Sequence, residues 1–118
     1  MTEADIQKQI VQWLRIQYPN YIVHHSANEG NRGGRKGVMD GARKKAMGQV
    51  RGFPDIIMLG WAKIGPVFFE VKAPKKYAEK HQKALHEKLR DLGYRVAVVR
   101  SIEDTKEALN GWLLGVRK

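Results

Sequence analysis

The tightest constraint in this sequence is a pair of short apolar runs that carry charged groups where they would meet. Asp55-Ile56-Ile57-Met58-Leu59 opens on a carboxylate directly after Gly52-Phe53-Pro54, and Val67-Phe68-Phe69-Glu70-Val71-Lys72-Ala73 carries Glu70 and Lys72 at its end. Both runs have the length and the β-branched or aromatic content of strands, and residues 60–66 between them have turn formers at each end. A hairpin centred between Ala62 and Lys63 sets Asp55 opposite Glu70, with Cβ atoms roughly 4.5–5.5 Å apart. Strand alternation turns Glu70 and Lys72 to the same side. Two carboxylates at that spacing repel unless a proton or cation lies between them. Hard divalent ions such as Mg²⁺ take carboxylate oxygens, so a metal site is the economical expectation. A plainer reading stands beside it: Pro-Asp opens many strands, and Glu-x-Lys is a common solvated edge pattern.

A chain of 118 residues supports a single domain over 1–118, enough for one sheet with helices. Its 22 Lys+Arg against 12 Asp+Glu give a net charge of +10, which points to a polyanionic partner, nucleic acid before an anionic membrane. No apolar run approaches the roughly 20 residues of a spanning helix, and the start is neither basic nor followed by a signal-type core. The absence of cysteine excludes disulfides, thiolate zinc sites and a cysteine nucleophile. An intracellular, cytoplasmic protein is expected.

Along the chain, Thr2 caps a first helix with Asp5 at its third position, and Ile6, Ile10, Trp13 and Leu14 follow at helical spacing until Tyr18-Pro19-Asn20. Glu3 and Gln7 extend that stripe toward a site, although an acid at this helix end is also explained by the dipole. Residues 21–25 read as the first strand, with His24 and His25 on opposite faces and each expected to be packed or exposed rather than a ligand. Residues 26–37 form a glycine-rich basic loop containing Asn28, Arg32, Arg35 and Lys36, whose amides and guanidiniums suit phosphate. It lacks the P-loop pattern, so no nucleotide cofactor is indicated. Residues 38–47 make a short basic helix with Arg43 and Lys44, stopped by Gly48. After the hairpin, Pro74-Lys75-Lys76 breaks the strand, and a helix over 77–92 buries Leu85, Leu89 and Leu92 before Gly93. Gln82 lies on its inward side, bonding either sheet-end backbone or a water or phosphate near the strand ends. Residues 94–100 are the clearest strand, and Ser101-Ile102-Glu103-Asp104 starts a last helix. The order is α-β-α-β-β-α-β-α: a central mixed four-stranded sheet flanked by helices, with 77–92 as the crossover to a parallel strand.

These residues resemble a known group. Pro54-Asp55 followed by Glu70-Val71-Lys72 in this element order is similar to the PD-(D/E)XK nuclease superfamily, with its restriction-endonuclease-like α/β core. More narrowly, Asn28-Glu29-Gly30 with Arg32, the 48–52 stretch leading to Pro54-Asp55, Gln82, and Gly93 before residues 96–101 resemble the virus-type replication-repair nuclease (VRR-NUC) family over nearly the whole chain. The resemblance implies that Asp55 and Glu70 hold Mg²⁺ or Mn²⁺, with the Val71 carbonyl as a further ligand and Glu3 as the first-helix acid. It gives Lys72 to the attacking water, as base or as electrostatic clamp, and makes Gln82 a supporting residue. Arg32 and its basic neighbours Arg35, Lys36, Arg43, Lys44, Lys75 and Lys76, together with Asn28, are expected to contact DNA. Small stand-alone, phage-type members act as homodimers on four-way junctions, so a junction-cutting homodimer in a host cytoplasm is the favoured expectation, with residues 38–47 or exposed Trp61 and Trp112 at the dimer contact. A flap or general DNA nuclease of the same fold, and a non-catalytic basic nucleic-acid-binding module, are the alternatives; for the last, the charge alone suffices.

Overall fold

The two apolar runs pair as a hairpin in the expected register. The computed structural model describes residues 1–26 and 41–116. In it β1 (Ile22–His25), β2 (Ile56–Leu59), β3 (Val67–Val71) and β4 (Arg95–Val99) form one sheet in the order β1-β2-β3-β4. The first two pairings are antiparallel and the last is parallel. Ile56 lies opposite Phe69 and Met58 opposite Val67, so one step outward Asp55 faces Glu70. Around the sheet are α1 (Glu3–Gln17), α2 (Lys80–Asp91) and α3 (Ile102–Leu113). Residues 41–46 are also helical and end at Gly48, whose φ of 101° suits a helix stop, while residues 38–40 of the expected basic helix lie outside the described residues.

Alternation along β3 divides the molecule into two cores. Val67, Phe69 and Val71 face α1 and α3, where Ile6, Ile10, Leu14, Leu109 and Leu113 are all at most 2% exposed. Burying a side chain of this size stabilises by about 1.5–3 kcal/mol each, so this face dominates stability. The opposite face carries Phe68, which packs with Val96 and Leu89 of α2 in a smaller cluster flanked by Phe53, Ile57 and Leu85. Glu70 and Lys72 share Phe68's parity and therefore belong to the thinner side. The capping box at α1 is as read: Asp5 N–H donates to Thr2 Oγ1 at 3.1 Å and Thr2 N–H to Asp5 Oδ2 at 3.0 Å.

Three expectations need correction. α2 begins at Lys80 rather than at 77, because Pro74 and Lys75 form a turn and the chain from 76 to 79 is irregular, extended at Glu79, with Ala78 tucked in at 9% exposure. Leu92 is 65% exposed, and the inward position on that helix goes to His86 at 2%. Trp61 and Trp112 are half-buried and packed on the core rather than exposed: Trp112 packs on Phe69 with ring centroids 5.6 Å apart, and Trp61 stands edge-on to both Tyr18 and Tyr21.

Gly60 ends β2 against that aromatic cluster. A Cβ at this position would sit 2.3 Å from the Tyr21 ring, which is itself stacked on Tyr18 at 5.6 Å and set against Trp61 at 4.9 Å. The ring has no free direction in which to yield. Gly60→Ala is therefore expected to destabilise the protein by about 1–3 kcal/mol through overpacking, read as a lower urea midpoint with an unchanged slope; a midpoint equal to wild type would contradict this packing.

Candidate active site

Asp55 stands one residue before β2 because Pro54, which has no N–H to donate, cannot extend that strand's ladder. Its backbone carbonyl accepts two hydrogen bonds, from Ser26 N–H at 2.8 Å and from His25 Nδ1 at 2.9 Å. A carbonyl only accepts, so His25 carries its proton on Nδ1. The side chain is fixed as well: Oδ2 accepts the Val71 N–H at 2.8 Å, a cross-strand bond that ties the carboxylate to β3. Asp55 is half-buried, Glu70 is 2% exposed, and their carboxyl groups are in hydrogen-bond contact.

Contact between two acids has an electrostatic signature. Burial, then the shared hydrogen bond and charge of Glu70, raise the Asp55 pKa from 3.8 to about 7. Glu70 is also raised, by burial, against the opposing effects of its bond to Asp55 and the nearby Lys72 charge; Glu3 adds a further upward push. The pair therefore holds a proton that neither acid would hold in water. Lys72 is 8% exposed, and its N–H donates to Val99 O at 3.0 Å, extending the parallel ladder one residue beyond β3 and anchoring the lysine beside Glu70.

Behind Glu70 lies a residue that the sequence reading missed. His86 of α2, 2% exposed, places Nε2 3.4 Å from Glu70 Oε1. Burial and then the Arg90 charge lower its pKa, so a neutral ring donates its Nε2–H to the carboxylate. The signal was present in the spacing: His86 is one turn beyond Gln82 and adjoins the Leu85–Leu89 stripe, but a histidine among charged neighbours reads as solvated. Gln82 itself has a different local task. Its Oε1 accepts the Glu79 N–H at 2.8 Å in a capping box, rather than bonding the sheet end. It remains close to the loop carrying Asp55, since a Cβ on Gly52 would come within 3.4 Å of Gln82 Cα.

A cavity of about 500 Å³ opens beside Asp55, lined also by Glu3, Ala4, Gln7, Lys8, His25 and Val71. Glu3 and Gln7 thus reach the site as the helical stripe implied. His25, half-buried and bonded to the Asp55 carbonyl, also lines it, while His24 on the other face is exposed. Glu3 does not join the carboxylate pair: among the described residues no three His, Asp or Glu side chains gather as a ready-made metal cage. Of the residues expected at DNA, Arg43, Lys75 and Lys76 are exposed and Lys44 is partly covered; Asn28, Arg32, Arg35 and Lys36 lie outside the described residues. No helix among the described residues is long and apolar enough to cross a membrane.

A folded-state pKa above the unfolded one means that the native protein binds the proton more tightly. The stabilisation from Asp55 is thus full below about pH 3.8 and disappears as pH rises through about 7. In metal-free buffer, the melting temperature of Asp55→Asn relative to wild type should accordingly rise from about pH 4 to about pH 8. Parallel curves across that range would show that the Asp55 carboxyl is not held above its ordinary pKa.

In comparisons with known proteins, a family model described as the VRR-NUC domain matches residues 1–103. The fold is similar to a solved structure described as a VRR_NUC domain protein, with a TM-score of 0.70 and 22% identity over 97% of this chain and 89% of that one. A search of curated proteins gave no match. With a model match over most of its length and the α/β architecture in agreement, the chain belongs to the VRR-NUC family, a family of nucleases of the PD-(D/E)XK type.

Proposed function

We propose that this protein is a divalent-metal-dependent, structure-selective DNA endonuclease, and that Asp55, Glu70 and Lys72 form its reaction centre. The carrying observation is the opposed carboxyl pair, with Asp55 lining a cavity, the proton affinity of both acids raised and a buried lysine alongside. Such a pair is held at an electrostatic cost that a cation relieves. The donor set is all oxygen and hard, which fits Mg²⁺ or Mn²⁺. Asp55 and Glu70 would hold the ion, with the Val71 carbonyl and Glu3 as further donors from the same wall.

A bound divalent ion supplies Lewis-acid charge that neutralises phosphate and makes water more acidic. The chain's own groups supply the rest. Val71 N–H and His86 Nε2–H each orient one carboxylate oxygen, and the bonds from His25 and Ser26 hold the Asp55 backbone in register. Lys72, aligned with Glu70 on one strand face, offers its ammonium to the charge that grows on the non-bridging phosphate oxygens; its other role is to position or deprotonate the attacking water. The net charge of +10 brings the polyanion to the site and makes binding strongly salt-dependent.

The finer reading is cleavage of branched DNA, four-way junctions first, by a homodimer. Resemblance to small stand-alone members of the family supports it, and paired active sites about a two-fold axis suit a substrate with paired scissile strands. With Mg²⁺ or Mn²⁺, wild type is expected to cut labelled junctions, while Asp55→Asn and Lys72→Ala lose roughly a hundredfold or more in rate; mutants cutting at the wild-type rate would reject the assignment. Sedimentation equilibrium is expected to give twice the chain mass. A strict monomer would remove the paired-incision reading and leave the nuclease reading intact.

A further inference from the structure

The segment after Lys72 is built more firmly than a connection requires. Lys76 N–H donates to Ala73 O at 3.0 Å, closing a turn with Pro74 second and Lys75 third. Lys75 has φ 66°, a left-handed conformation at the turn position that glycine normally fills. A non-glycine residue there is strained, so the surroundings must impose the conformation. They do so through Arg100, one residue past β4. Its Nε and Nη2 donate to Lys76 O at 3.1 and 2.6 Å, and its Cζ lies 5.1 Å from the centroid of the Tyr77 ring. On the far side Ala78 is 9% exposed and anchors the chain.

Tyr77 is the product of this arrangement. It is 73% exposed and belongs to neither core cluster, so it contributes little to folding. A guanidinium fixed by two bonds to backbone backs the ring, and so large an exposure leaves the opposite face to solvent. Five positions earlier in the chain is Lys72, and the flanking Lys75 and Lys76 are exposed cations. An exposed aromatic face backed by arginine and flanked by two lysines has the properties that bind an unstacked base beside its phosphate.

We propose that Tyr77, backed by Arg100, is a stacking platform for an unpaired nucleobase of the DNA strand that enters the Asp55–Glu70–Lys72 site. The proposal rests on the nuclease reading above and deepens it: selectivity for branched DNA arises from a base that only a branch point or single strand can release. Duplex DNA, with its bases stacked, would touch the lysines but not the ring.

The test measures binding by the full chain in metal-free buffer, so that no cutting is required. A junction and a splayed fork carry 2-aminopurine at the branch, and a matched duplex is the control. Wild type and Tyr77→Phe are expected to quench the probe, whereas Tyr77→Ala and Tyr77→Leu do not. Both of the latter should weaken binding to branched DNA by roughly 5- to 100-fold, the range for losing one base–aromatic stack, with duplex affinity within about twofold of wild type. Lys75→Ala should instead weaken both DNAs alike and reduce the salt slope by about one. Tyr77→Leu keeps apolar cover over Arg100, so a purely structural clamp would leave it like wild type. That result, or equal weakening on duplex and branched DNA, or unchanged quenching in Tyr77→Ala, overturns the platform while the nuclease reading stands. Failure of wild type to bind any of these DNAs overturns both.

Discussion

Two carboxyl groups that repel one another are held in contact, and much of this structure can be understood as the means of holding them there. Left to themselves, Asp55 and Glu70 would separate into water. Antiparallel pairing of β2 with β3 fixes their backbones opposite each other, and the Val71 N–H bond to Asp55 Oδ2 prevents the first side chain from swinging away. His86 restrains the second from behind. The backbone of Asp55 is tied in turn to β1 through His25 and Ser26. Burial first, and then repulsion that cannot relax by movement, favour proton uptake, which is why the Asp55 carboxyl is pushed up to about 7.

The division of labour between the two sheet faces makes this strain tolerable. The face shared by α1 and α3 is a continuous apolar core whose largest members are fully buried. It supplies the stability on which a destabilised site can draw, in the manner expected of active sites. The face under α2 has a smaller cluster, and the same strand that contributes Phe68 to it delivers Glu70 and Lys72. Alternation along a five-residue strand thus couples a stabilising face to one that carries charged groups. A one-residue slip of β3 would exchange them, sending Phe69 to the charged side and Glu70 into the apolar core.

Much of the site was legible before any coordinates. Asp55 and Glu70 could be paired by counting across a turn, because the hairpin register follows from where the apolar runs begin and end. Glu3 and Gln7 could be aimed at the site by continuing the Ile6–Ile10–Leu14 stripe. Local periodicity failed where a partner from a distant segment determines a residue's environment. Leu92 fits a buried stripe by spacing but falls where no neighbour covers it, whereas His86, set among charged neighbours in the chain, is buried against Glu70. Trp61 and Trp112 were assigned to the surface on residue type, whereas Tyr18, Tyr21 and Phe69 cover them. Gln82 showed an inward position but not its bonding, since a cap at Glu79 presupposes knowing that α2 starts there.

Sequence alone determined the element order, the β2–β3 register and the identity of the opposed acids, because each follows from short-range alternation, helical period and turn chemistry. Tertiary structure decided what surrounds those acids: the histidine behind Glu70, the histidine beneath Asp55, the cavity beside Asp55, and the guanidinium under Tyr77. These contacts join residues far apart in the chain, and their energies come from burial and electrostatics at short distance. No local pattern encodes such distances until the sheet and helices have closed around the site.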